Sequence, residues 1–360
     1  MQRVPPRFIL RFALCAGLLA TALLARAAEE SAAHRRPVKA VADQRLEVRT
    51  AAGQGLLPLY ASLPLADAAP QPDIERAVLV FHGRLRDADV YWRSAKKALA
   101  AVPAQAPSTL LIVPQFLAEL DVDAHLLPPA TLRWSLEGWE GGEPARGPAR
   151  ISSFEAIDAV LALLADRHRF PHLAQVVVAG HSGGGQVVQR YAVVGQGEAR
   201  LAAAGVKLRY VVANPSSYLY FSADRPRPDG GFGVPASAAS CPAYDQWKYG
   251  WSGAPAYATQ SSAAAYEERY VQRDVVYLLG GLDIDPHQSA LDQSCSGEAQ
   301  GPYRLARGRS YAAYLRQRHP GFVPAVHEVP GVGHDGDRML GSACGLSALF
   351  DDAAGKAACP

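Results

Sequence analysis

Gly180-His181-Ser182-Gly183-Gly184 sets a serine among small residues, directly after the apolar run 175–179 and before a stretch that reads as a helix. In a strand, turn and helix context, G-x-S-x-G has a mechanical meaning. The small residues let the chain reverse sharply and push the serine hydroxyl out at the positive end of the next helix. A hydroxyl so placed is poised to attack a carbonyl carbon. A phosphate-cradling turn would instead want a lysine at the P-loop position, which this segment lacks.

A serine hydroxyl is a poor nucleophile until a base takes its proton, and a carboxylate must hold that base in the right tautomer. Both occur later in the chain, acid first. Gly280-Gly281-Leu282-Asp283 ends the apolar run 275–279, so Asp283 stands where the chain leaves a sheet, and Asp285 is the nearby substitute. His334 lies in the Gly-rich loop 330–335, which follows the run 325–329. His181 occupies the variable position of the turn, where packing beneath it is expected. His287, His319 and His327 fall in a loop, at a helix end and in a strand, and read as ordinary structural histidines.

Attack on a carbonyl also needs two preorganised N–H donors for the developing oxyanion. One is expected from the backbone of Gly183. The other is expected from the turn Phe81-His82-Gly83-Arg84, with the Arg84 amide as donor, Gly83 permitting close approach and His82 bonding the loop.

Positioning these groups requires strands that end together. Apolar or β-branched runs at 46–50, 57–62, 77–81, 110–114, 175–179, 208–213, 275–279 and 325–329 alternate with helical stretches at 91–101, 153–168, 184–194, 303–318 and 337–350. That alternation predicts a mostly parallel sheet with helices on both faces. Four of the runs are apolar at consecutive positions, as strands covered on both faces must be. Ser152 or Ser153 is placed to cap the second of these helical stretches, 153–168. Two segments, 115–150 and 215–272, break the alternation and are rich in Gly, Pro, Trp and Tyr. They read as insertions over the carboxyl ends of the strands, where open α/β sheets bind ligands. Tyr218 and Trp247 in the second are the candidate substrate contacts, against the plainer reading that these aromatics pack the insertion onto the body.

From about residue 76 onward, the His82-Gly83 turn, the elbow at 180–184, the turn ending at Asp283 and Gly333-His334 resemble, in order, the α/β-hydrolase superfamily. The segments around Asn214-Pro215-Ser216, Cys241-Pro242 and 247–250 are similar to an exported branch found in bacteria and fungi. The resemblance implies an α/β-hydrolase fold: a mostly parallel central sheet flanked by helices, with inserted cap-like segments. It also implies acyl transfer to water through an acyl-enzyme, with no metal and no organic cofactor. The oxyanion turn departs from the His-Gly-Gly-Gly type by reading His-Gly-Arg-Leu-Arg. A carboxylic-ester hydrolase acting on a small-molecule or polymeric ester is the first expectation. A peptidase or amidase with the same residues, an acyltransferase and a non-catalytic binding protein are its rivals.

Arg3, Arg7 and Arg11 precede the apolar run 12–25, followed by Ala25-Arg26-Ala27, which reads as a signal peptide over 1–27. Residues 28–42 read as a mobile lead-in and 43–360 as one domain with its insertions. Cleavage would remove four arginines and no acids, leaving 32 basic against 34 acidic side chains. A balance so close to neutral gives no footprint for nucleic acid, and the arginines of 304–309 read as solvated helix faces. No stable membrane insertion is expected after cleavage. Cys241, Cys295, Cys344 and Cys359 form an even set in an exported chain, periplasmic or extracellular, and so predict two disulfides. Of three possible pairings, sequence separation favours Cys241 with Cys295 and Cys344 with Cys359; no Cys-x-x-Cys spacing suggests zinc.

Overall fold

The computed structural model describes residues 33–359. The expected signal peptide lies outside the described residues, as do residues 28–32 of the lead-in. Ten strands occur among the described residues: β1 (Gln44–Thr50), β2 (Gly53–Ala61), β3 (Arg76–Phe81), β4 (Thr109–Pro114), β5 (Gln175–His181), β6 (Lys207–Ala213), β7 (Arg225–Pro226), β8 (Phe232–Gly233), β9 (Asp274–Gly280) and β10 (Ala325–Val329). Eight build one sheet in the order β1-β2-β4-β3-β5-β6-β9-β10, and β7 and β8 form a small ladder of their own. β1 pairs antiparallel with β2, and β2 with β4; every other neighbour in the large sheet is parallel.

Alternating side chains of the central strands feed two cores. Leu79, Phe81, Leu110, Ile112, Val176 and Val178 enter one. Val78, Val80, Leu111, Val113, Val177 and Ala179 enter the other. Burial on both faces is the reason these strands are apolar at consecutive positions. The helices that matter for the site are α1 (Ala88–Ala100), α2 (Ser153–Leu164), α3 (Gly183–Val194), α4 (Arg304–Arg318), α5 (Gly336–Leu340) and α6 (Ala343–Phe350). Ser152 caps α2 by accepting from the Phe154 amide, and Glu155 reaches back to the Ser152 N–H at 2.7 Å. The helix expected over 337–350 is two helices, because Ser342 accepts from the Gly345 amide and starts α6 anew.

The disulfides join Cys241 to Cys295 and Cys344 to Cys359, with Cα atoms 5.9 and 4.8 Å apart. Residues 33–42, expected as a mobile lead-in, are instead pinned to the body. The Val38 amide donates to Asp121 Oδ1 at 2.8 Å and the Ala42 amide to Gln115 Oε1 at 2.8 Å, both buried. Arg304 and Arg307, read as part of a solvated face, are buried on the inner side of α4. No helix among the described residues is long and apolar enough to cross a membrane.

Candidate active site

Strand register brings the loops of interest to one edge. Phe81 stands opposite Gly180, His181 opposite Ala213, and Val329 opposite Gly280. The turns leaving β3, β5, β6, β9 and β10 therefore emerge side by side. At the centre, Ser182 has φ 60° and ψ −120°, a strained conformation of the kind stored at functional turns, costing about 1–3 kcal/mol. A Cβ on Gly180 would lie 2.3 Å from the Gly184 oxygen, so no larger residue permits so tight a reversal.

The structure brings Ser182, His334 and Asp283 into one line. His334 Nε2 lies 2.9 Å from Ser182 Oγ, and its Nδ1 lies 2.8 Å from Asp283 Oδ2. An ionised carboxylate can only accept, so Nδ1 carries the proton and Nε2 offers its lone pair to the hydroxyl. Asn214 locks the two supporting loops together: its side chain accepts from the Gly280 amide at 2.7 Å and donates to the Gly333 carbonyl at 3.1 Å. Behind Asp283 sits the guanidinium of Arg304, 3.4 Å from Oδ1. Burial lowers the Arg304 pKa to about 10, so it stays cationic at neutral pH and supplies the carboxylate's counter-charge. Asp285 takes no part in this line; its Oδ1 accepts from the His287 amide at 2.8 Å within its own exposed loop.

Arg84 and Gly183 also come together. A Cβ on Gly183 would lie 2.8 Å from the Arg84 nitrogen, so only glycine lets the two turns close. Neither amide has an acceptor among the described residues. His82 fixes the first turn: its Nε2 accepts from the Phe116 amide at 2.9 Å, which leaves Nδ1–H to donate to the Gly83 carbonyl at 2.9 Å. Complete burial lowers its pKa to about 4, keeping the ring neutral. His181 bonds the Tyr91 hydroxyl through Nδ1 at 3.1 Å and lays its ring 4.7 Å from that of His334. Burial drives its pKa well below the ordinary value, so a neutral ring faces His334 and does not repel a charge forming there.

A cleft of about 320 Å³ opens over Ser182. Its walls come from the segments 83–94, 288–290 and 334–337, with Leu85, Val90 and Tyr91 as its apolar side and Arg84, Asp335 and Asp337 among its charges. Neither aromatic candidate lines it, which corrects the expectation for both. Tyr218 is fully buried and stacks on Tyr311 at 4.6 Å. Trp247 donates from Nε1 to the Gly141 carbonyl at 2.7 Å, tying one insertion to the other. Both are packing residues: Tyr218 fastens the second insertion to α4, and Trp247 joins it to the first, where Lys248 also pairs with Glu140 at 2.9 Å.

Sequence reasoning missed Asn214 and Arg304 as supporting residues. For Arg304 a signal existed, since positions 304, 307, 311 and 315 recur at helical spacing and are all buried. Among the described residues, one group of potential metal donors gathers within 4.8 Å: His327, Cys344 and Cys359. Both sulfurs are tied up in the disulfide and offer no thiolate.

With strand order, turn geometry and cleft in place, the chain has the α/β-hydrolase fold. No family model and no curated protein matches the sequence. Solved structures do. A poly(aspartic acid) hydrolase from Sphingomonas sp. KT-1 is 20% identical, with 83% of this chain and 96% of that one covered at a TM-score of 0.55. A poly(3-hydroxybutyrate) depolymerase from Bordetella parapertussis is 24% identical, with 88% and 94% covered at a TM-score of 0.56.

Proposed function

We propose that the protein is an exported serine hydrolase that cleaves carboxylic esters through an acyl-enzyme on Ser182. The observation that carries this reading is the hydrogen-bonded line from Ser182 through His334 to Asp283, opening beneath a cleft with two unengaged amides beside it. His334 Nε2 takes the hydroxyl proton as Oγ attacks the ester carbon. The carbonyl oxygen, now anionic, receives the Gly183 and Arg84 N–H groups at the positive end of α3. Collapse breaks the acyl C–O bond, and Nε2–H hands its proton to the departing alcohol. Water then enters, gives a proton to Nε2, and its hydroxide attacks the acyl carbon, releasing the acid and restoring Ser182. Asp283 stays ionised throughout and stabilises the imidazolium that forms in each half.

The depolymerase of the same fold supports a polymeric ester as substrate. The poly(aspartic acid) hydrolase favours a second reading, an amidase using the same residues. Hydrolysis of p-nitrophenyl esters from acetate to palmitate, beside p-nitroanilides, separates the two. Wild-type protein should turn over the esters and take a fluorophosphonate label, and both should vanish in Ser182→Ala. Folded wild-type protein that does neither would remove the serine mechanism and bring forward a non-catalytic binding role.

A further inference from the structure

The three side chains that follow Gly83 build something besides the Arg84 amide. Arg86 is fully buried and forms a two-point ion pair with Asp121, at 2.6 and 3.1 Å. Its remaining donors hold the carbonyls of His34 at 2.8 Å and Arg36 at 3.0 Å. Asp121 in turn accepts the Val38 amide, and His125 Nε2 bonds the Val38 carbonyl at 2.7 Å. The Arg84 side chain reaches His34 Nδ1 at 2.8 Å. These contacts hold residues 34–38 as a fixed wall facing α1.

Between that wall and α1 lies a second cleft, of about 680 Å³. Pro37, Val38 and Lys39 line one side of it, and Leu85, Val90 and Arg93 the other. Leu85 and Val90 line the Ser182 cleft as well. Each is 39% exposed, which is unremarkable for a lone residue. Here, however, the pair forms a ridge shared by two adjoining clefts, with the Asp87 carboxyl also lining both. The cleft at Ser182 is near the lower end of the size range for small-molecule sites, about 300–1,000 Å³, so a longer chain must continue elsewhere. At the far side, Arg93 is already paired with Asp89 at 2.8 Å. Lys39 is exposed and has no hydrogen-bond or ion-pair partner among the described residues.

We propose that this second cleft is a substrate subsite, taking the following units of a linear hydroxyacid oligoester whose scissile bond lies at Ser182, with Lys39 facing its terminal carboxylate. The inference rests on the esterase reading of Ser182 and deepens it. In such an oligomer the carboxylate end lies on the alcohol side of every ester bond. The subsite therefore holds the leaving group: the acyl C–O bond breaks, the alcohol departs with the proton from His334, and the acyl part stays on Ser182 until water removes it.

The test is kcat/KM for free-acid 3-hydroxybutyrate oligomers, dimer to tetramer, relative to p-nitrophenyl butyrate. Wild type, Lys39→Glu and Val90→Trp are compared, and the trimer is also supplied as its methyl ester. In wild type the ratio should climb at least tenfold along the series. Lys39→Glu should lower the free-acid trimer about tenfold while changing its methyl ester less than twofold, and Val90→Trp should flatten the climb. A flat series in wild type that still hydrolyses p-nitrophenyl butyrate through Ser182 overturns the subsite and leaves the esterase reading standing. A climb that survives both substitutions also overturns it. Wild type that neither hydrolyses p-nitrophenyl butyrate nor takes a fluorophosphonate label overturns both.

Discussion

Gly183→Ala adds one methyl group at the point where the elbow meets the turn after β3. The new Cβ would stand 2.8 Å from the Arg84 nitrogen and 2.9 Å from Glu140 Oε1. Glu140 has little room to yield, since Oε2 is held by Lys248 at 2.9 Å and its carbonyl by Arg190 at 3.1 Å. Arg84 must therefore retreat by about 0.6 Å to reach the 3.4 Å of ordinary contact. Its N–H moves with it, away from the position of the oxyanion. Losing one such donor typically costs about 10²–10³ in kcat. Because the donor is displaced and not deleted, the lower end is expected, near 10²-fold or about 2.7 kcal/mol in the barrier. Stability should change little, because alanine improves the start of α3 by up to about 1 kcal/mol and offsets part of the strain. The assay is kcat on p-nitrophenyl butyrate with the rate of fluorophosphonate labelling and a thermal melt alongside. A folded variant with kcat within threefold of wild type would refute the assignment of the Arg84 amide as a donor.

Three further outcomes follow from the same geometry. Asp283→Asn should lower kcat by about 10⁴ through the wrong His334 tautomer, whereas Asp285→Asn should stay within twofold; equal losses would mean that the acid has been misassigned. His82 and His181 both have lowered pKa values in the folded state, so the unfolded chain binds the extra protons. Their stabilisation is full above about pH 6.5 and falls away below it, for His82 as pH drops toward 4, where that residue alone accounts for about 3 kcal/mol. Burial raises Asp87 to about 6, which works in the opposite sense over the same window, so Asp87→Asn should steepen the acid loss seen in urea midpoints. Arg86→Leu should destabilise by about 3–5 kcal/mol in urea unfolding, because it leaves the Asp121 carboxylate buried without its cation; a loss below 1 kcal/mol would count against the pinned wall.

The parts of the site that could be read from sequence are those that short-range chemistry dictates. A serine between glycines after an apolar run has few other uses, and Asp283 and His334 each follow a strand whose end is marked by glycine. The nearness of Arg84 to Gly183 was also accessible, because both turns follow apolar strands of one parallel sheet. What was hidden depended on partners far away in the chain. Tyr218 and Trp247 have the composition of a binding surface, yet the former stacks on Tyr311 and the latter reaches Gly141, and neither partner is marked locally. The segment 33–42 has no period of its own and is ordered by side chains of Arg86, Gln115 and Asp121. The arginines at 304 and 307 broke the usual association of charge with solvent, although their spacing put them on the buried stripe.

The 152 residues that separate Ser182 from His334 leave the nucleophile and its base on the turns after strands far apart in the chain. β10, which delivers the base, is the edge strand of the sheet and pairs only with β9. A chain in which β10 has not docked can thus hold the elbow, its neighbouring turn and Asp283 while lacking the group that activates the hydroxyl. A domain folds as a unit, so reactivity arrives with completion of the sheet: the hydroxyl stays inert in any state from which this last strand is detached.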